Sequence, residues 1–286
     1  MNVPRSRPPA SIRAVLYALD YLPWPMGEEA CALLFLLRDG LTPSRVRLAW
    51  RWCAVHPVPG ESRVRSVINL FRFRGRFRAT HALLGVRSPA ALGERVRVEG
   101  QDRLPRSGGA ILLGSHIGPP AVGEALIVAG CPVRQVAGAR HSRTWSSEAW
   151  AEIRSASETF PLSEVSSALG GVLYRARRHV MNGERVYMTA DGGRGRSAFQ
   201  LCVPGAPAAS IKAGWMALRR ECGVPVFPVT SHLEGRIQVI EVHPALPERD
   251  ADRQRDEVQC REAIERVWTA FADAYPAQCG GLLFPD

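Results

Sequence analysis

Apolar residues recur every three or four positions through the first part of this chain, and that period predicts helices. Phe71-Arg72-Phe73-Arg74 alternates like a strand, but arginines that recur at helical spacing around it favour a helix. The predicted helices are Ser11–Leu22, a short helix that ends at Leu37, a segment that begins at Thr42, and Ser62–Leu84.

From Arg95 onward, short apolar runs alternate with amphipathic segments. The predicted strands are Arg95–Gly100, Ala110–Gly114, Pro132–Val136, Arg185–Ala190, Val224–Ser231 and Ile237–Val242. The predicted helices are Ala121–Ala129, Thr144–Phe160, Leu169–Met181, Ser210–Arg220 and Asp256–Tyr275. This alternation predicts an α/β fold with a mostly parallel central sheet flanked by helices. We expect residues 1–90 to form an N-terminal helical segment that packs on the core or on a membrane, and residues 91–286 to form the α/β domain.

Composition narrows the class of protein. The 286 residues, 46% of them hydrophobic and 22% charged, are ordinary for a globular chain with a sizeable core. The longest apolar run, Ala30–Leu37, falls well short of the roughly 20 residues that span a bilayer. The N-terminus lacks the pattern of a secretory signal. The seven cysteines are dispersed without a CxxC pair, which favours reduced thiols in a cytoplasmic protein and offers no zinc site.

The formal charge of +10 favours anionic partners: phospholipid surfaces, phosphorylated substrates, acidic carrier proteins or nucleic acid. Arginine supplies nearly all of it, since Lys212 is the one lysine, and arginine bias can also reflect a GC-rich genome. The densest basic and aromatic stretch, Arg63–Arg78, is by default a solvated helix face, and its functional alternative is docking to anionic headgroups or an acidic acyl carrier. No nucleic-acid recognition motif is present in the sequence, so nucleic acid is not a predicted partner.

His116 follows a buried strand through a turn of small residues, and ligands of open α/β sheets bind beyond the carboxyl ends of the strands. Its imidazole can accept a proton from a hydroxyl near neutral pH, although a histidine can also simply cap a turn. Asp191 ends a second apolar strand in the same way. If the two strands are neighbours, Asp191 would orient the imidazole; its alternative role is that of a turn residue.

Glu124 is the other candidate catalytic carboxylate. If residues 119–124 are helical, it lies about 12 Å along the axis from His116, too far for a direct hydrogen bond unless the turn folds back. A supporting or surface position then fits it better.

The loop after Asp191 contains Gly192, Gly193, Arg194 and Arg196, whose amides and guanidinium groups suit a phosphate. Short glycine-arginine loops are common, and this one is neither a Walker loop nor a dinucleotide fingerprint.

From about Arg95 to Phe284 the chain resembles the bacterial lysophospholipid acyltransferase superfamily, in particular the lipid A late acyltransferases and the phosphatidylinositol mannoside acyltransferases. The matching segments are VEGQDRLPRSGGAILLGSH, RVYMTADGGRG, VPGAPAASIKAGWMALRRECGVPVFPV and the closing YPAQCGGLLF. The family's motif is a histidine followed after four residues by Asp or Glu. His116 matches, but Ala121 stands at the acid position and Pro119-Pro120 replaces the usual Asn-Trp. Either Asp191 supplies the carboxylate, or activity is altered or lost.

The resemblance implies acyl transfer from a thioester, on coenzyme A or acyl carrier protein, to a hydroxyl of a glycolipid or phospholipid. His116 would be the general base, and amides near Gly114 or Gly118 would stabilise the oxyanion. Arg194, Arg196 and Lys212 would hold a phosphate, with Ser115, Gly118, Gly192 and Gly193 completing the substrate site. The reaction needs no metal and no cofactor beyond the donor.

Two alternatives remain open. The same chemistry could act on a soluble specialised metabolite, which the altered motif and the lack of an N-terminal span favour. A non-catalytic protein that binds acyl lipids or their carrier is the other. With a lipid acceptor, we expect a cytoplasmic protein held peripherally at the inner face of the cell membrane, whose anionic surface would be a partner.

Overall fold

The computed structural model describes residues 23–83, 92–138, 155, 157–160, 167–191 and 196–284. Three helices open this part of the chain: α1 (Trp24–Gly40), α2 (Pro43–Val55) and α3 (Arg63–Leu83). Prolines lie in the first turns of α1 and α2, where a residue without an amide hydrogen costs no helical hydrogen bond. The predicted helix Ser11–Leu22 lies outside the described residues.

The remaining described residues form nine strands and five further helices. The strands are β1 (Val96–Glu99), β2 (Ala110–Gly114), β3 (Arg134–Gly138), β4 (Ser157–Phe160), β5 (Arg185–Thr189), β6 (Ser197–Leu201), β7 (Ala209–Lys212), β8 (Val226–Glu234) and β9 (Ile237–Val242). The helices are α4 (Val122–Val128), α5 (Ser167–Met181), α6 (Gly214–Cys222), α7 (Arg253–Ala274) and the single turn α8 (Gly280–Leu283). Short 3-10 turns occupy Gln101–Arg103 and Pro276–Gln278.

Seven strands form one sheet in the order β1-β9-β8-β2-β5-β3-β4, and β6 and β7 form a separate antiparallel hairpin. Every neighbouring pair in the large sheet is parallel except β8 and β9. The predicted α/β fold, with a mostly parallel sheet flanked by helices and an N-terminal helical segment, is confirmed.

Both faces of the sheet are covered, and β2 shows why its sequence is apolar throughout. All five residues of β2 are buried. Ile111 and Leu113 join a core cluster with residues of α2, α3, α5, α6 and α7, while Ala110 and Leu112 join a second cluster with residues of α4. A central parallel strand that is buried on both faces has no polar side to alternate with.

Two local predictions were wrong, and each missed a strand of four residues. The predicted helix Thr144–Phe160 ends instead in β4, which pairs with β3 from Gln135 and Ser157 onward. The predicted helix Ser210–Arg220 begins as β7, which pairs with β6. In each case the strand is stabilised by a neighbour distant in sequence, which local patterning cannot reveal.

Arg63 and Arg65 at the start of α3 are exposed, but the arginines in the middle of the helix face the protein more than the solvent, contrary to the expected solvated face. Arg74 is 5% exposed and forms an ion pair with Asp39 of α1, which is fully buried and also paired with Arg45. Arg72 and Arg76 both contact Glu29 of α1. Ion pairs between the two helices therefore turn the acidic side chains of α1 inward.

Close contact between these helices also depends on Gly75. A Cβ at this position would lie within 3.0 Å of the Cys31 carbonyl on α1, so α3 can approach α1 only with a glycine there. Among the described residues, none of the helices is long and apolar enough to cross a membrane.

Replacing Asp39 by Asn should lower the free energy of unfolding by about 3 kcal/mol or more, because Arg38, Arg45 and Arg74 lose the buried carboxylate that compensates their charge. Urea denaturation measures the change. Glu221→Gln on α6, which removes an exposed pair with Arg177, is the matched control and should change the stability little. Equal stability of the Asp39→Asn variant and the wild type would contradict the conclusion that the buried ion pairs of Asp39 stabilise the N-terminal helices.

Candidate active site

The turn after β2 carries His116 to the surface. Ser115 is half-buried, and the His116 side chain is 61% exposed, directly after five buried strand residues. This is the abrupt change from a buried strand to an exposed titratable group that the sequence predicts. The position is the carboxyl edge of the sheet, where α/β proteins bind ligands.

Asp191 reaches the same edge from the neighbouring strand. β2 and β5 are parallel, with Gly114 opposite Thr189, and the amide of Ala190 donates to the Gly114 carbonyl at 2.8 Å. His116 and Asp191 each lie two residues beyond these paired positions. Equal offsets from parallel strands in register bring the two side chains together, as expected if the strands are neighbours.

The contact between them is direct. The distance from Nδ1 of His116 to Oδ1 of Asp191 is 2.8 Å, and the backbone amide of His116 donates to Oδ2 at 2.9 Å. The carboxylate of Asp191 is 15% exposed, much less than the imidazole. Because an ionised carboxylate only accepts hydrogen bonds, Nδ1 carries the proton, and Nε2 is the proton acceptor of the neutral ring. This arrangement suits a general base with an orienting acid.

The segment after His116 is held by packing and hydrogen bonds. Ile117 is 2% exposed within the larger core cluster. A Cβ at Gly118 would lie within 3.0 Å of the Ser231 carbonyl on β8, so this glycine allows close packing of the turn on the sheet. The Pro120 carbonyl accepts a hydrogen bond from Nε2 of Gln238 at 3.1 Å. The turn is thus fixed on both sides of its exposed histidine.

The C-terminal segment, residues 276–284, packs against the same turn. The Gln278 side chain donates to and accepts from the backbone of Leu233, at 3.0 and 2.7 Å, much as an added strand would. Trp52 of α2 donates to the Pro276 carbonyl at 2.9 Å. A Cβ at Gly281 would lie within 3.0 Å of the His116 carbonyl. The segment therefore connects the N-terminal helices to the backbone of His116.

Glu124 does not lie where a helix from residue 119 would put it. α4 begins only at Val122, after Ala121, which has a positive φ of 65°. Glu124 is 2% exposed, so the surface position considered for it is wrong. Its carboxylate lies in the buried first turn of α4, where a negative charge interacts favourably with the amide end of a helix.

Tyr187 is a buried neighbour of the site that sequence reasoning missed. Its side chain is 5% exposed, and a Cβ at Gly114 or at Gly123 would lie within 3.0 Å of it. Burial raises the pKa of Tyr187 well above its ordinary value, and the negative charges of Glu124 and Asp191 raise it further. Two glycines thus admit an uncharged phenol beneath the turn. The only signal in the sequence was a tyrosine in the strand that leads to Asp191.

Two predicted substrate residues lie on segments next to Asp191. Arg196 is exposed and Lys212 half-buried. The Lys212 amide donates to the Ala190 carbonyl at 2.8 Å, and the amide of Ala213 donates to the Arg196 carbonyl at 2.9 Å. The hairpin of β6 and β7 therefore begins and ends beside the acid.

The lysine side chain itself turns back along β7, since Nζ of Lys212 donates to Ser210 at 3.2 Å. Gly192, Gly193 and Arg194 lie outside the described residues. Within the described ranges, no group of three or more His, Cys, Asp or Glu side chains is arranged to hold a metal ion.

Replacing Gly281 by Ala should lower the midpoint of thermal unfolding, because the new methyl group overlaps the His116 carbonyl and forces the turn or α8 to move. Differential scanning calorimetry measures the shift, for which a loss of stability of about 1–3 kcal/mol is typical of overpacking. Gly40→Ala is the control, since nothing lies within 4 Å of its added Cβ. If both variants unfold like the wild type, the C-terminal segment does not constrain the turn.

Comparison with known proteins adds no assignment to this geometry. No family model matches the chain, and no curated protein matches it. The chemistry is therefore inferred from the side chains at the ends of β2 and β5, where His116 and Asp191 form a close acid–imidazole pair. Of the acid–imidazole pairs among the described residues, this is the one whose imidazole is mostly exposed.

Proposed function

We propose that this chain is an acyltransferase that moves a fatty acyl group from a thioester donor, acyl-CoA or acyl carrier protein, to a hydroxyl of a glycolipid or phospholipid. The observation that carries the proposal is the 2.8 Å contact between the exposed imidazole of His116 and the largely buried carboxylate of Asp191. The same pair lies at the edge of the sheet where substrates bind in this fold class.

His116 acts as the general base. Nε2 takes the proton of the acceptor hydroxyl while the hydroxyl oxygen attacks the carbonyl carbon of the thioester, and Asp191 stabilises the imidazolium that forms. Collapse of the tetrahedral intermediate breaks the carbon–sulfur bond. The imidazolium returns its proton to the departing thiolate, so the products are an ester and a thiol, with no acyl-enzyme.

The resemblance to lysophospholipid acyltransferases agrees with this assignment at His116 and departs from it at Ala121. Ala121 is a buried residue with positive φ at the start of α4 and carries no acid. Asp191 takes over that role, because its carboxylate already contacts both Nδ1 and the backbone amide of the histidine. The contact of Gly281 with His116 gives the closing segment of the resemblance a structural role beside the base.

Basic residues on the segments next to Asp191 support an anionic substrate. Arg196 flanks the loop after Asp191, and Lys212 is attached by its amide to the residue before Asp191. Together with Arg194, they would hold a phosphate of the donor or the acceptor. Amides near Gly114 or Gly118 would stabilise the oxyanion, with Ser115, Gly192 and Gly193 in the substrate site. A lipid acceptor implies work at the inner face of the cell membrane.

Replacing His116 by Ala should remove acyl transfer, because the proton acceptor is lost. Asp191→Asn should lower kcat by about 10²–10⁴, because the imidazole then lacks the carboxylate that orients it and stabilises its charged form. Glu124→Gln should have a smaller effect. Thiol release from palmitoyl-CoA in the presence of a bacterial lipid extract measures the rate, and mass spectrometry identifies the acylated lipid.

Glu221→Gln serves as the control variant, since its exposed pair with Arg177 lies on α5 and α6. Unchanged turnover in His116→Ala would reject the assigned base, and a larger loss in Glu124→Gln than in Asp191→Asn would reject the assigned acid. Purified protein that retains acyl ligands without consuming any thioester would show a binding protein instead of an enzyme.

A further inference from the structure

The outward face of α1 is apolar over its whole length. Met26, Leu33 and Leu37 are 57%, 56% and 63% exposed, and Leu41, directly after the helix, is 82% exposed. Ala30 lies between the first two on the same stripe and is half-buried. Residues spaced by seven, four and four positions fall on one side of a helix. Large apolar side chains are thus lined up on the surface, bordered by the half-exposed carboxylate of Glu29, which is paired with Arg72 and Arg76.

The opposite face of α1 is buried and holds Cys31, Ala32 and Phe35 beside the acids Glu28 and Asp39. The helix thus has apolar residues toward the core, as surface helices normally do, and a second apolar stripe on its exposed side, which they normally lack. Because ion pairs with α3 fix this rotation, the leucines cannot turn inward without separating buried charges.

Neighbouring helices add basic charge to the same part of the protein. Between residues 23 and 79, the charged residues that are exposed overall are all arginines: Arg47, Arg51, Arg63 and Arg65. Trp50 is 42% exposed, with the Arg63 guanidinium 5.4 Å from its ring centre. The most exposed acid of this region, Glu29, is paired with two arginines. Exposed leucine, tryptophan and arginine with little unpaired acid is the composition of surfaces that lie on anionic bilayers.

We propose that α1 lies flat on a membrane surface that contains anionic lipid, with Met26, Leu33, Leu37 and Leu41 inserted between the headgroups. The helix has 17 residues and is about 25 Å long, and its axis lies parallel to the membrane surface. The proposal rests on the proposed function for its purpose, since a lipid acceptor is reached at a membrane. The binding itself does not involve His116 or Asp191.

Sedimentation with lipid vesicles tests the proposal on the full chain. We expect stronger binding to vesicles of phosphatidylcholine and phosphatidylglycerol than to vesicles of phosphatidylcholine alone. Replacing Leu33 and Leu37 together by Gln should weaken binding about tenfold or more, because the inserted apolar area is lost. Replacing Arg47 and Arg51 by Gln should reduce the preference for the anionic vesicles.

A matched control removes equally exposed apolar residues elsewhere. Tyr174 and Met181 on α5 are 66% and 59% exposed, and replacing both by Gln should leave vesicle binding unchanged. Circular dichroism and thermal unfolding check that each double variant is folded.

Three results would overturn the proposal: no binding to anionic vesicles, equal binding by the Leu33→Gln/Leu37→Gln variant, or a dimer in analytical ultracentrifugation that the same variant dissociates. The third would show that a second copy covers α1. The His116→Ala variant separates this proposal from the proposed function, since it should bind vesicles like the wild type. If the wild type binds vesicles but transfers no acyl group, the proposed acyltransferase function is rejected and membrane binding by α1 stands. If it transfers acyl groups but does not bind vesicles, only membrane binding by α1 is rejected.

Discussion

The parallel pairing of β2 and β5 in register is the constraint on which the candidate site depends. It places Gly114 beside Thr189, and two further residues along each chain bring Nδ1 of His116 within 2.8 Å of Asp191. Strand pairing fixes backbone positions to a fraction of an ångström, so two side chains at equal offsets meet without help from a flexible loop. The charge on the acid then determines which ring nitrogen carries the proton.

Support for this contact comes from parts of the chain far away in sequence. Ile117 anchors the turn in the core, Gly118 lets it approach β8, and Gly281 lets the C-terminal segment approach the His116 carbonyl. Trp52 and Gln278 attach that segment to the N-terminal helices and to β8. The exposed imidazole therefore stands on a turn that is held by contacts on both sides, as the proposed role of a general base requires.

The N-terminal helices combine two features that follow from one set of ion pairs. Asp39 and Glu29 turn toward the arginines of α3, so ion pairs join the two helices in addition to the close contact at Gly75. The same rotation leaves Leu33 and Leu37 on the outside. The sequence of α3 predicts a solvated basic face, but the arginines in its middle contact α1 instead. The exposed apolar surface therefore belongs to α1.

Local pattern determined the larger elements of this protein. The buried runs of β2 and β5, the amphipathic α5 and α7, and the turn positions of His116 and Asp191 all follow from the order of apolar and polar residues, because strands buried on both faces and helices buried on one have distinct periods. Tertiary structure alone decided what those elements contact. Glu124 is buried because α4 packs into the second core cluster, and β4 and β7 are strands because β3 and β6 lie beside them. The close contacts at Gly114 and Gly281 were also decided by tertiary structure, since the sequence does not show which distant atoms pack against a glycine. The period of apolar residues along a chain indicates which side of an element is buried. Which distant segments pair depends on the contact energy between them, and the sequence of one segment alone does not give it.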